Sequence, residues 1–151
     1  MAGLMLELTR TASLTLSVGT MVADATRPRR IKFSYLLFGS EGAPADCAIG
    51  LRVRRCTAAG TSTAVTPINM DPADATTEAD AGENHTVDAT YTANSEVIVT
   101  GVNQRATYQW FAPPDGMIVT PATASNGLGV ETPALSTGTP IVRATVHCFE
   151  Q

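Results

Sequence analysis

The most regular feature of the chain is an alternation of apolar and polar side chains with a period of two, which is the pattern of a strand with one buried face. It is clearest within residues 96–129. There, one set of side chains is predicted to face a core and the alternate set to face away from it: Ala106, Tyr108 and Trp110 against Arg105, Thr107, Gln109 and Phe111. The Pro, Asp and Gly residues at 113–116 are typical of a tight turn. We therefore predict a hairpin, with residues 117–120 as its returning strand.

The same period predicts further strands on both sides of this hairpin. The positions that share a face are Leu4, Leu6 and Leu8; Leu14, Leu16 and Val18; Ile31, Phe33, Tyr35 and Leu37; Cys47, Ile49, Leu51 and Val53; and Val142, Ala144, Val146 and Cys148. Loops or turns are predicted where Gly, Pro, Asp and small polar residues cluster, at 24–28, 39–46, 57–63 and 125–129. Pro67 marks the extended segment 64–69 as a sheet edge, because proline cannot donate to a strand ladder.

One short helix is predicted near residues 72–81. Asp71 is a suitable N-cap, Pro72 suits the first helical position, and Gly82 can end the helix. About eight strands and one short helix in a chain of this length favour an all-β fold. We therefore predict a single domain over residues 1–151, an antiparallel β-sandwich of the jelly-roll type.

Composition restricts the cellular setting. The three cysteines, Cys47, Cys56 and Cys148, are far apart and lack a metal-binding spacing, so we interpret them as free thiols of a reducing compartment. Residues 11–25 contain Ser and Thr and follow Glu7, which disfavours a signal peptide. No apolar run reaches the roughly 18 residues of a membrane helix. We expect synthesis in the cytoplasm without membrane insertion.

Motifs of catalytic or cofactor sites are missing from the sequence. There is no nucleophile elbow, phosphate-binding loop, zinc-protease motif or dinucleotide fingerprint. His85 and His147 have no partner pattern, and we interpret them as ordinary surface or strand residues. The acidic residues at 71–88 lack the spacing of a calcium-binding loop. We therefore expect no enzyme activity, no metal and no other cofactor.

Basic residues are concentrated in one part of the sequence. Seven of the ten lie between positions 27 and 55: Arg27, Arg29, Arg30, Lys32, Arg52, Arg54 and Arg55. The net charge of −4 and the low aromatic content disfavour nucleic-acid binding. Because arginine pairs well with carboxylates, the basic segment and the acidic residues at 71–88 suit contacts between copies or with a scaffold, the alternative being plain solvation. Arg105, predicted to project opposite Trp110, is a further candidate contact.

A family resemblance covers residues 29–130. It rests on the segments RRIKFSYLLFGSEGAPAD, RRCTAAGTSTAVTP, DPADATTEADAGENHT, YTAN and NQRATYQWFAPPDG, and on PATASNGLG at 121–129. These segments resemble small bacteriophage structural proteins of the capsid cement or decoration kind. They are signatures of strands and turns, so no functional residue is carried over from that family.

The resemblance implies a non-enzymatic virion protein with a jelly-roll fold, often a homotrimer. Such a protein would be made in the host cytoplasm, bind the outer surface of the head and clamp neighbouring subunits of the major capsid protein. The arginines and the terminal segments 1–26 and 132–140 would then supply contacts between subunits. One alternative is a receptor-binding or fibre-tip domain of a virion, which recognises glycans with loop aromatics and acids. Another is a cupin-like metal oxygenase, which requires clustered His and Glu ligands.

Overall fold

The computed structural model describes residues 2–10, 17–133 and 138–151. Within these residues the only regular secondary structure is β-strand, and the strands form two antiparallel sheets. The predicted all-β sandwich is therefore confirmed. In chain order the strands are β1 (Ala2–Arg10), β2 (Ser17–Val22), β3 (Ile31–Ala43), β4 (Ala48–Ala58), β5 (Thr61–Val65), β6 (Ile68–Asn69), β7 (Asp80–Val87), β8 (Thr90–Asn103), β9 (Tyr108–Phe111), β10 (Ile118–Val119), β11 (Gly127–Glu131) and β12 (Thr139–Glu150).

The first sheet has the strand order β10-β3-β12-β1-β6, and β9 also pairs with β3. β12 pairs with β3 along its whole length, and with β1 from Ala2↔Glu150 to Arg10↔Val142. The first and last strands of the chain therefore lie side by side in the middle of this sheet.

The second sheet has the strand order β5-β7-β2-β11-β4-β8, so β5 and β8 are its edges. β4 and β8 pair regularly from Ala48↔Asn103 to Val53↔Ile98, and bulges follow on the way to Tyr91. β5 and β6, which flank Pro67, are both edge strands, and this confirms the edge predicted from the proline.

The larger of two hydrophobic clusters in the described residues lies between the two sheets. The predicted core faces of β1, β4 and β12 are confirmed, because their members are buried there: Leu4, Leu6, Leu8, Ile49, Leu51, Val53, Val142, Ala144, Val146 and Cys148. Tyr108 and Trp110 are partly buried and pack against this core, as the alternation predicted, whereas Ala106, predicted on the same face, is exposed in the turn before β9. Cys56 and Cys148 are buried thiols, whereas Cys47 is partly buried and its Sγ accepts a hydrogen bond from Gln104 Nε2 at 3.0 Å.

The helix predicted near residues 72–81 is wrong. The Asp71 carboxylate accepts a hydrogen bond from the Ala73 amide at 2.9 Å, and the Asp71 carbonyl accepts one from the Asp74 amide at 3.0 Å, which closes a single turn. The chain then runs without regular structure to Ala79. There the Glu78 amide donates to the Glu150 carboxylate at 3.1 Å, so contacts with β12 replace the helical bonds that the cap would have started.

The predicted hairpin at residues 113–116 is also wrong in its pairing. The turn forms, since the Gly116 amide donates to the Pro113 carbonyl at 2.8 Å. However, β9 and β10 do not pair with each other: Phe111 lies opposite Tyr35 of β3, and Ile118 lies opposite Phe33 of the same strand. The chain therefore pairs with the same edge of β3 before and after this turn, and residues 113–117 form a loop that projects from that edge.

The predicted faces of β3 are correct only in its first half. Ile31 and Phe33 are buried, but Tyr35 and Leu37 are on the outer side, and Leu36 and Phe38 are buried instead. The register against β12 shifts by one residue between Phe33 and Tyr35, so a β-bulge exchanges the two faces. β3 also extends to Ala43 through most of the predicted 39–46 loop.

The remaining predictions concern the turn at 24–28 and two segments that are wholly or partly outside the described residues. The turn at 24–28 is confirmed, because the Asp24 carboxylate accepts hydrogen bonds from the amides of Thr26 and Arg27 at 2.8 and 2.6 Å. The predicted strand positions Leu14 and Leu16 lie outside the described residues, as do residues 134–137 of the predicted 132–140 connector.

Candidate functional site

The seven arginines predicted as partner contacts lie in three parts of the fold. Arg27, Arg29 and Arg30 precede β3, Arg52, Arg54 and Arg55 belong to β4 of the other sheet, and Arg105 follows β8 in a turn. This turn lies near the far end of β3, where the Ser40 hydroxyl donates to the Gln104 carbonyl. The fold therefore does not gather the seven side chains into one patch.

The arginines before β3 contact acids of their own chain. Arg27 pairs with Glu78, with 3.0 Å between Nη1 and Oε1. Arg29 lies 3.8 Å from the buried carboxylate of Glu150, which also accepts the Glu78 amide. These contacts fasten the segment before β3 to the chain end and to the segment before β7.

Arg54 is held in a cluster on the outer side of the second sheet. Its Nη1 lies 3.3 Å from Glu131 Oε1, its Nε lies 3.4 Å from Glu96 Oε1, and its guanidinium lies 4.6 Å from the centre of the Tyr91 ring. Arg52 is 4.0 Å from Glu131. Burial raises the pKa of Glu131, and Arg54 opposes that shift. Arg54 is therefore engaged in structural contacts of its own chain.

The remaining predicted arginines differ in how far they are available to a partner. Arg55 Nη1 donates to the Val119 carbonyl at 2.6 Å, which links the two sheets. Arg30 and Arg105 are exposed, and neither forms an ion pair with another residue of the described ranges. Arg30 and Arg105 therefore combine an exposed side chain with a guanidinium that no carboxylate of the described residues pairs with.

A polar cluster lies buried around the start of β2, next to the end of β7 and the start of β8. The Ser17 hydroxyl donates to the Asp88 carboxylate and lies 2.6 Å from the Tyr91 hydroxyl. Arg10 Nη1 donates to the carbonyls of Ser17 and His85 at 3.0 and 2.7 Å. His85 Nε2 lies 2.9 Å from the Ala59 carbonyl and 3.2 Å from the Thr20 hydroxyl. Its contacts join strands of the second sheet to one another and, through Arg10, to β1 of the first sheet.

A shallow depression on the outer face of the first sheet combines aromatic and charged side chains, and we call it the outer groove. Tyr35 lies between Phe111 and His147, with 4.8 Å between ring centres on each side. This end of the groove has a volume of about 520 Å³ and shares Leu37 and Thr145 with a second part of about 260 Å³. Phe111 is 67% exposed.

The other end of the outer groove is polar. Arg143 Nη1 lies 3.1 Å from Glu7 Oε1 and donates to Thr9 Oγ1 at 2.9 Å, whereas its Nη2 lies 2.6 Å from Glu41 Oε1. The hydrogen bond from Arg143 lowers the pKa of Glu41 and raises the pKa of Arg143. The guanidinium is thus fixed in direction while all three side chains stay accessible to solvent.

Sequence reasoning did not identify this groove. It correctly placed Phe111 opposite the core-facing Trp110, but it placed Tyr35 on the core face of β3. The bulge in β3 turns Tyr35 outward, and the pairing of β1 and β3 with β12 brings Glu7 and Glu41 beside Arg143. The only signal in the sequence was the exposed alternate set that contains Phe111.

Within 2–10, 17–133 and 138–151, no three His, Cys, Asp or Glu side chains come together as a metal site. No helix in the described part of the chain could cross a membrane. Comparison of the chain with protein-family models, with curated proteins and with solved structures finds no match.

Proposed function

We propose that this protein is a non-enzymatic structural component of a bacteriophage virion, a capsid cement or decoration protein that binds the outer head surface. The proposal begins with the resemblance of residues 29–130 to that family. The two-sheet sandwich supports it, because long strands paired across a continuous core make a rigid domain. Its partner would be the major capsid protein, whose lattice it would stabilise.

The observation that carries the proposal is the position of exposed apolar side chains at sheet edges. Ile68 lies in β6, and Phe111 lies in β9 at the opposite edge of the first sheet. Val99, 62% exposed, lies in β8 at an edge of the second sheet. Because an edge strand presents unpaired backbone groups beside these side chains, it suits contact with a neighbouring protein.

We also propose that the sandwich is of the jelly-roll type. The first sheet contains β1, β3, β6, β9, β10 and β12, and the second contains β2, β4, β5, β7, β8 and β11. The chain therefore crosses between the sheets at most steps, and its first and last strands are neighbours. This alternation supports a jelly roll.

The mechanism would be multivalent clamping by a homotrimer. Each copy would contribute a modest interface, and linkage of three copies would raise avidity without any single strong contact. Arg30 and Arg105 lie toward opposite ends of β3, so they are suited to contacts with different neighbours. Of the two terminal segments 1–26 and 132–140, the first contributes β1 and β2 to the subunit's own sheets, so contacts between subunits are proposed for residues 132–140.

The direct test is binding to heads of the phage that encodes the chain, observed by electron microscopy. We expect stoichiometric, symmetric density on the outer surface of DNA-filled heads. The double variant Arg30→Glu with Arg105→Glu should weaken binding at least tenfold, whereas Arg27→Gln, whose side chain pairs with Glu78, should bind as the parent does. Absence of head binding together with binding to host cells would instead favour a receptor-binding domain of the virion.

The oligomeric state has a separate test. Light scattering should give the mass of a trimer at micromolar concentration. A monomer at every concentration would contradict the trimer, and head binding by that monomer would leave the cement proposal intact.

A further inference from the structure

We propose that the outer groove binds a neutral oligosaccharide, with one sugar ring on Tyr35 and Phe111 and the hydroxyls of a neighbouring sugar on Arg143, Glu7 and Glu41. This function goes beyond binding to a head and does not depend on it. The proposal rests on the chemistry at the two ends of the groove and on their spacing.

The aromatic side chains at one end of the outer groove are not part of the hydrophobic core. Tyr35, Phe111 and His147 lie on the outer face of the first sheet, away from the core that Phe33 and Leu36 fill. The rings are tilted by 46° and 49° to their neighbours, so they form an angled surface and not a closed stack. Accessible ring faces of this kind bind the apolar C–H face of a sugar.

The polar end is organised before any ligand arrives. Arg143 is fixed by Glu7, Glu41 and the Thr9 hydroxyl, so its guanidinium does not have to be ordered on binding. The carboxylates keep free lone pairs, and arginine carries five N–H donors. Neighbouring hydroxyls of a sugar both donate and accept hydrogen bonds, and they therefore match this arrangement.

The spacing of the two ends selects an oligosaccharide over a single sugar. His147 and Arg143 are four residues apart on β12, which corresponds to about 13 Å along a strand. Leu37 and Thr145 form the floor between them and belong to both parts of the groove. A ligand that contacts both ends must therefore be longer than one sugar ring.

The charge of the polar end disfavours acidic sugars. Two carboxylates surround one guanidinium, so Glu7, Glu41 and Arg143 together carry one net negative charge. A carboxylated sugar would meet repulsion there, whereas a neutral sugar would not. We therefore commit to a neutral oligosaccharide, and a basic peptide becomes the competing outcome of the test.

The experiment is a titration of the ¹⁵N-labelled full chain, followed by amide chemical shifts. The probes are maltotriose, triacetylchitotriose and lactose, with sialyllactose as the acidic comparison and an arginine-containing tripeptide as the basic one. We expect at least one neutral sugar to shift the amides of Tyr35, Leu37, Phe111 and Thr145 with a dissociation constant of about 1 mM, typical of a shallow and weakly enclosing site. Sialyllactose should bind at least tenfold more weakly than that sugar.

Two variants and one control locate the site. Phe111→Ala and Arg143→Gln should each weaken binding of the active sugar at least tenfold, while Val99→Ala, an exposed position on the other sheet, should leave it unchanged. All three positions are exposed, and thermal unfolding of each variant verifies that it is folded. The proposal is overturned if no neutral sugar shifts these amides, if neither variant weakens binding, or if the basic peptide alone binds the groove.

Discussion

At the residue scale, Gly129 determines whether Tyr91 can cover the second sheet. A Cβ at Gly129 would collide with Tyr91 Oη, and the same hydroxyl lies 2.6 Å from Ser17 Oγ. Gly129→Ala should therefore displace the ring and destabilise the fold by about 1–3 kcal/mol, the usual range for overpacking. Urea unfolding of the parent and the variant measures this change.

The matched control for that substitution is Gly101→Ala in β8. No atom lies within 4 Å of a Cβ at Gly101, so the added methyl group meets no neighbour. We expect its stability to equal or slightly exceed that of the parent, because alanine restricts the unfolded chain more than glycine does. Equal losses from the two substitutions would show that contact with Tyr91 is not the cause.

His85 gives the fold a dependence on pH. Its Nε2 donates to the Ala59 carbonyl, so the neutral ring carries its proton there, and the buried Nδ1 has no partner in the described residues. Burial lowers the pKa of His85, while the Ala59 contact and Asp88 oppose this shift and Arg10 adds to it. The unfolded chain therefore binds the proton more readily than the folded one, and stability that is full above pH 6.5 falls as the pH decreases towards the folded pKa.

Urea midpoints at about pH 7.5 and pH 5.5 test this dependence. We expect a lower midpoint at the acidic pH for the parent and a smaller difference for His85→Gln. Burial raises the pKa of Glu131, which acts in the opposite direction in both proteins, so the comparison isolates His85. An identical difference in the two proteins would contradict the assignment.

At the element scale, the segment from β9 to β10 behaves as one interrupted edge strand. The amide of Ala112 donates to the Ser34 carbonyl at 2.9 Å, and Ile118 lies opposite Phe33, the residue that precedes Ser34 in β3. Deletion of residues 113–117 would therefore place Ala112 and Ile118 in consecutive register. We expect the deletion protein to fold with a melting temperature close to that of the parent, because no core residue is lost.

The control is a deletion of equal length that removes β9. Loss of residues 108–112 takes away the pairing with β3 and the partly buried Tyr108 and Trp110. Calorimetry should show a large fall in melting temperature for this protein only. If removal of 113–117 lowered the melting temperature equally, those residues would contribute to the stability of the fold and would not be a dispensable loop.

Alternation predicted the strands of this chain better than the breaks within and between them. It predicted the core faces of β1, β4 and β12 correctly, because the apolar face of a half-buried strand can be identified from the sequence of that strand alone. It failed at β3, where a bulge opposite His147 and Cys148 exchanges the faces, since a bulge depends on the partner strand. The capping signal at Asp71 was real, but tertiary pairing with Glu150 prevailed over helix propensity.

The candidate site was less predictable than the fold for the same reason. The sequence indicated that arginines were concentrated, but not that Arg54 would be enclosed by Glu96, Glu131 and Tyr91. These partners lie on β8 and β11, which are neighbours of β4 in the second sheet but are distant from it in the sequence. Contacts that depend on distant strands cannot be read from spacing along one strand.

At the scale of the whole molecule, the central position of β1 constrains how its terminal segment is used. β1 pairs with β12 over nine residues and contributes Leu4, Leu6 and Leu8 to the core. Exposure of three buried leucines alone costs roughly 5–9 kcal/mol, which is comparable with the whole stability of a typical domain. Residues 2–10 are thus part of the subunit's own core.

Deletion of residues 1–10 should therefore abolish cooperative unfolding, as followed by circular dichroism and calorimetry. A synthetic peptide of residues 1–10 added in trans should restore a cooperative transition, because it can pair again with β12 and with the short edge strand β6. The same peptide with Leu6→Asp should fail, since Leu6 is buried in the core and a charge there would be desolvated. A truncated chain that unfolds cooperatively without the peptide would contradict this role. In that case β1 would be dispensable for folding and free to pair with a neighbouring subunit.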